Sequence, residues 1–76
     1  MDRERLGRRI KAFRKLKGYT QIGLAKELGI PIIKLGNVER GTQGATDDLL
    51  DQIAGRLGIS KLELTDSDPG KRRRNS

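Results

Sequence analysis

The 76-residue sequence contains no cysteine, no histidine and no tryptophan. Without cysteine there is neither a disulfide framework nor a thiolate metal site. Without histidine the commonest metal ligand and the commonest general base are both missing. The only aromatic residues are Phe13 and Tyr19, so the core is expected to be aliphatic, built mainly from Leu and Ile. No run of residues is apolar enough to span a bilayer, and no apolar stretch of the kind found in signal peptides follows the charged N-terminus. The expectation is a single small soluble domain, cytoplasmic, with no membrane partner, no metal and no cofactor.

What the chain has in quantity is positive charge, +7 net. Residues 1–40 carry eleven Lys and Arg against four Asp and Glu, whereas residues 41–64 carry two against four. The last twelve residues add four basic side chains against two acidic ones. A basic first half suits a polyanion, with nucleic acid ahead of an acidic membrane surface. An ordinary solvated surface accounts for charge of this size about as well.

Leu6, Ile10, Phe13 and Leu16 recur at spacings of four and three in "RERLGRRIKAFRKLKG", the stripe of an amphipathic first helix that Gly18 would stop. Thr20 is the N-cap expected for "TQIGLAKELG", with Ile22, Ala25 and Leu28 facing inward, Leu24 beside them and Gly29 at the end. A third helix follows, with Pro31 in its first turn, Leu35 and Val38 on its buried side and Gly41 at its end. Thr46 caps a fourth with a core face of Leu49, Leu50, Ile53, Ala54 and Leu57, closed by Gly58. Ser60 and Glu63 have capping-box spacing and open a fifth short helix carrying Leu62 and Leu64. Residues 1–64 are expected to form the domain and residues 65–76 a disordered basic tail, since nothing apolar anchors the latter. The fold class is all-α, a compact bundle of about five short helices.

In order, "RKLKGYTQ", "LAKELGI", "ERG" and "LLDQIAGRLGIS" resemble the Cro/CI-repressor-like (XRE-type) helix-turn-helix domains over about Leu6 to Leu64. The resemblance implies a lambda-repressor-like DNA-binding domain, with the helix at about Pro31–Arg40 reading the major groove. It also implies that Gln21, beside the Thr20 cap, holds a phosphate, and that Arg14 pairs with Glu39 to tie the first helix to the third. The base-reading positions it implies are Ile32, Ile33 and Asn37, with Lys34 nearby and Arg40 at the helix end. Relatives carry polar residues at the first two, and often a Ser or Thr cap where this chain has Pro31. Gly36 stands where a side chain is usual.

Isoleucine makes no hydrogen bond, so its direct readout is apolar contact with a thymine methyl, whereas Asn37 suits the N6/N7 edge of adenine. The loop "GTQGAT" has no basic residue, which leaves backbone amides of Thr42 and Gly44 for phosphates. Two other readings of the isoleucines stay open, a core extension and a patch that meets a protein partner. The expected partner is double-stranded DNA, with a homodimer, held through the surface of the last two helices or through the DNA itself, as a further expectation. Lys71 to Arg74 would add non-specific phosphate contacts or serve only as a solubilising, disordered terminus. No enzyme is expected. The Asp47, Asp48 and Asp51 cluster sits at the positive end of a helix dipole, which explains it without a cation.

Overall fold

The computed structural model describes residues 2–65; the expected basic tail, with Lys71–Arg74, lies outside the described residues apart from Thr65. The described chain is five helices: α1 (Arg3–Leu16), α2 (Gln21–Leu28), α3 (Ile32–Arg40), α4 (Asp47–Leu57) and α5 (Lys61–Thr65). Thr65 belongs to α5, where its hydroxyl donates to the Lys61 carbonyl at 2.9 Å. Pro31 is the residue before α3 and not part of its first turn. Its extended backbone sets the entry angle, and its carbonyl accepts from the amides of Lys34 and Leu35.

Three helices start on hydroxyl caps. The Thr20 hydroxyl accepts from the Gly23 amide at 2.9 Å, Thr46 from Leu49 at 3.1 Å and Ser60 from Glu63 at 3.0 Å. The first four helices end alike, on a glycine with positive φ followed by a residue whose amide reaches back five positions. After α1, α2 and α4 that following residue is Tyr19, Ile30 or Ile59, each partly buried against the core. The glycine-apolar pair therefore closes the helix and adds a packing contact in one step. Gly41, after α3, is held more tightly. Its φ is +83°, and a Cβ there would lie 2.7 Å from the Glu4 Cα, so both conformation and space demand glycine.

The core is aliphatic throughout. Leu24, Ala25 and Leu28 of α2 meet Leu35 and Val38 of α3, the Leu49–Leu57 face of α4, Leu64 of α5, and Leu6 and Ile10 of α1. Burying this aliphatic surface is the dominant stabilising term, at about 25 cal/mol per Å². α4 buries all five residues expected of it.

Two expected core residues, Leu16 and Ile22, are instead exposed. Leu16 is 75% exposed, because the inward face of α1 is centred on Leu6, Gly7, Ile10 and Arg14. At 100° per residue, Leu16 lies roughly 135° from the middle of that face. Ile22 is exposed for the same kind of reason: Leu24 and Leu28 take the inward side of α2, and Ile22 falls roughly 115° from the centre of the buried group. In α5 Leu64 alone is buried, and Leu62, two residues earlier, projects outward.

α5 is tied to α1 by Arg9, whose guanidinium donates to the carbonyls of Leu64 (3.1 Å) and Glu63 while lying 5.5 Å from the centre of the Phe13 ring. Both carbonyls belong to α5, so a side chain of α1 supplies donors to the backbone of the fifth helix. Outside the core, the Tyr19 hydroxyl donates to Glu27 at 2.9 Å. That carboxylate holds the phenol above its ordinary range.

Gly55 sits on the exposed side of α4 with nothing within 4 Å of a would-be Cβ and no positive φ. Gly55→Ala is expected to stabilise the fold by about 0.8–1 kcal/mol. In a circular-dichroism melt the midpoint should rise by roughly 4–8 °C. A lower midpoint would show that this face of α4 is covered.

Candidate nucleic-acid interface

The centre of the site is a buried ion pair. The Arg14 guanidinium meets the Glu39 carboxylate through two hydrogen bonds, Nε to Oε2 at 2.7 Å and Nη2 to Oε1 at 3.1 Å. The two side chains are 8% and 2% exposed. Arg14 Nη1 donates to the Tyr19 carbonyl at 3.0 Å, which fixes the turn before α2. Gln21 Nε2 donates to Glu39 Oε1 at 3.0 Å. One carboxylate thus gathers the end of α1, the start of α2 and the last turn of α3. Two charge-assisted bonds in a fork hold direction as well as distance, so the α2–α3 crossing is rigid where it matters.

From that crossing the outer face of α3 follows by helix geometry. Leu35, Val38, Glu39 and Gly36 point inward. On the far side lie Ile33, Lys34, Asn37 and Arg40, within a sector of roughly 120°. Ile32 lies to one side of that sector, beside Gly36. Ile33 is 73% exposed and Ile32 38%, so Ile33 does not extend the core. The Gly36 position faces Gln21 and Arg40. A Cβ there would come within 3.3 Å of Arg40 Nη1 and 3.6 Å of Gln21 Oε1. The missing side chain lets an amide from α2 and a guanidinium from the end of α3 lie over the same spot.

Several site residues already hold partners within the chain. The Asn37 carboxamide accepts from Arg40 through Oδ1 and donates from Nδ2 to Gln43 Oε1 at 3.5 Å. Both atoms that would read adenine are therefore engaged. The Thr42 amide cannot serve a phosphate as expected. It donates to the Asn37 carbonyl at 3.0 Å and closes α3, and the Thr42 hydroxyl goes to the same carbonyl. Gln21 has one amide arm on Glu39, leaving Oε1 over Gly36.

Sequence reasoning missed Arg3. Its guanidinium lies against Gly44, 3.1–3.4 Å from where a Cβ would be. It lines a shallow cleft of about 300 Å³ with Leu6, Gly44, Ala45, Asp47 and Leu50. The loop without a basic residue of its own thus receives one from the first turn of α1, 41 positions away. Nothing local in the sequence signals that contact. The acidic cluster is separate in role: Lys61 sits 3.3 Å from Asp47 and 3.9 Å from Asp51. Among the described residues no group of acidic side chains is arranged to hold a metal ion, and no helix is long and apolar enough to cross a membrane.

A helix-turn-helix family model matches residues 10–64. The chain is 52% identical over 64 residues to YazB of Bacillus subtilis (strain 168), described as an uncharacterized HTH-type transcriptional regulator. That alignment takes in 84% of this chain and 93% of YazB. Among solved structures, the clp gene regulator ClgR of Corynebacterium glutamicum has a TM-score of 0.85 at 28% identity, covering 99% of this chain and 80% of that one. The master regulator for biofilm formation SinR, solved in complex with DNA, has a TM-score of 0.73 at 33% identity, covering 78% and 95%. The five helices, the crossing built on Glu39 and these likenesses agree: the chain belongs to the Cro/CI-type helix-turn-helix family of DNA-binding transcriptional regulators.

Proposed function

We propose that this chain regulates transcription by laying the Ile33–Lys34–Asn37–Arg40 face of α3 in the major groove of duplex DNA. The observation that carries this reading is the Arg14–Glu39–Gln21 network, which fixes α2 against α3 with that face turned outward. A major groove about 12 Å wide admits one α-helix, and the side chains at its outer face then meet base edges. Thr20 and Gln21, at the N-terminus of α2, approach one phosphate, where the helix dipole favours an anion. Arg40 and Lys34 flank α3, and Arg3 with Gly44 offers a second phosphate contact at the loop that Thr42 opens. Leu62, exposed on α5, supplies apolar surface away from α3 for pairing two copies on two half-sites.

Phosphate contacts of this number release counterions, so affinity for a mixed-sequence duplex should fall steeply with salt. With four to six contacts, the slope of log K against log salt is expected at roughly −4 to −5. Arg3→Ala should weaken binding across all sequences alike and make the slope shallower by about one. Fluorescence titrations at several salt concentrations measure both. No binding at low salt would end the reading, and an unchanged slope in Arg3→Ala would remove Arg3 from it.

A further inference from the structure

The outer face of α3 is short of hydrogen-bonding groups at the very positions that would meet bases first. Its first turn presents Ile33, 73% exposed, with Ile32, 38% exposed, at its border. The next turn has Asn37, whose carboxamide is engaged by Arg40 and Gln43. Lys34 and Arg40 stand at the margins as cations, which suit phosphates. The basic frame fits a polyanion: residues 1–40 hold eleven Lys and Arg against four Asp and Glu. An apolar pair inside such a frame meets one apolar group in the major groove of DNA, the C5-methyl of a pyrimidine. Isoleucine suits that contact, because a β-branched side chain on a helix has essentially one χ1 rotamer and loses little freedom on docking.

We infer that Ile32 and Ile33 are methyl readers, so that this protein tells sites apart by C5-methyl groups on thymine, or on 5-methylcytosine, more than by hydrogen-bonding edges. The inference rests on the placement of α3 in the major groove proposed above and specifies what that helix recognises. It makes thymine pairs at one or two positions per α3 the main source of sequence preference. A 5-methylcytosine at such a position supplies the same methyl on a G·C pair, whereas plain cytosine does not.

The test uses the full chain and duplexes enriched by it from a random pool. In an enriched duplex each thymine is replaced singly by deoxyuridine, which removes the methyl and leaves every hydrogen-bonding edge unchanged. At one or two positions affinity should fall about fourfold per methyl, and roughly tenfold or more for both together. Ile32→Ala with Ile33→Ala should bind the thymine and uracil duplexes equally. Ile33 is 73% exposed and Ile32, 38% exposed, stands outside the buried core, and alanine is the better helix former, so the fold stays. Ile33→Val, one methylene shorter, should show a smaller but measurable uracil penalty.

A wild-type chain indifferent to uracil would overturn the inference while its steep salt dependence left the DNA-binding reading standing. A uracil penalty that persists undiminished in the double alanine variant would overturn it too, since the methyl would then act through the stiffness of the DNA. So would a pool from which no thymine-bearing motif emerges. Absence of duplex binding at low salt would remove both readings together.

Discussion

Gly7→Ala is expected to cost about 3 kcal/mol or more and to lower the melting midpoint by roughly 12–24 °C. Gly7 is where α1 crosses α3 with backbone nearly touching backbone. A Cβ at that position would be 2.5 Å from the Val38 carbonyl oxygen, 2.7 Å from the Glu39 carbonyl carbon, and closer still to the Glu39 oxygen. All three obstructing atoms are main chain inside a helix, so no rotamer change relieves them. The helices must separate, and Ile10, Leu35 and Val38 then lose the contacts that bury them almost completely. A domain of this size has only a few kcal/mol to lose, so the variant should be partly unfolded at growth temperatures. Circular-dichroism melts of Gly7→Ala beside Gly55→Ala check the argument, since the same substitution should act in opposite directions. A Gly7→Ala midpoint within a few degrees of the parent would mean that α1 can tilt away from α3 at little cost. The site would register the change as well, because the Val38–Glu39 backbone carries the carboxylate that orients Gln21.

Gly7 also shows where sequence reading stops. α4 was legible residue by residue, because its stripe is all aliphatic and nothing functional competes for it. The caps Thr20, Thr46 and Ser60 were legible because a hydroxyl three residues before the amide it accepts from is a local pattern. The inward face of α1 was not, since two of its four buried positions are a glycine and an arginine, and neither looks like core. Leu16 then completed an apparent stripe that the α1–α3 crossing turns outward. Ile22 misled in the same way, standing three residues before a buried Ala25. Within the candidate site, the pairing of Arg14 with Glu39 and the outward position of Ile33 follow from the family resemblance. The engagement of Asn37 by Arg40 and Gln43, the use of the Thr42 amide and the reach of Arg3 to Gly44 do not. Those depend on which of several polar neighbours wins a donor, and only the folded arrangement decides that.

Arg14→Ala is expected to melt roughly 12–40 °C below the parent, because breaking one half of a buried pair costs about 3–5 kcal/mol. The loss arises from what remains. Glu39, with its side chain 2% exposed, would be left with the Gln21 amide as its one remaining side-chain donor, and the Tyr19 carbonyl would lose its Nη1 partner. Below its transition, however, Arg14→Ala should bind duplex DNA close to the parent, since the Gln21–Glu39 bond still holds α2 on α3. Replacing both partners, Arg14→Met with Glu39→Met, should do the reverse. Apolar side chains of similar volume can match or exceed a buried ion pair in stability, so much of the lost midpoint should return. Gln21 Nε2 would then have no acceptor, its carboxamide over Gly36 would be free to turn, and affinity should fall several-fold with little change in salt slope. Melts and duplex titrations on the three chains separate the two effects. An Arg14→Ala midpoint near the parent would show that the pair adds little. Parental affinity in the double variant would show that Glu39 stabilises the crossing without positioning the group that meets DNA.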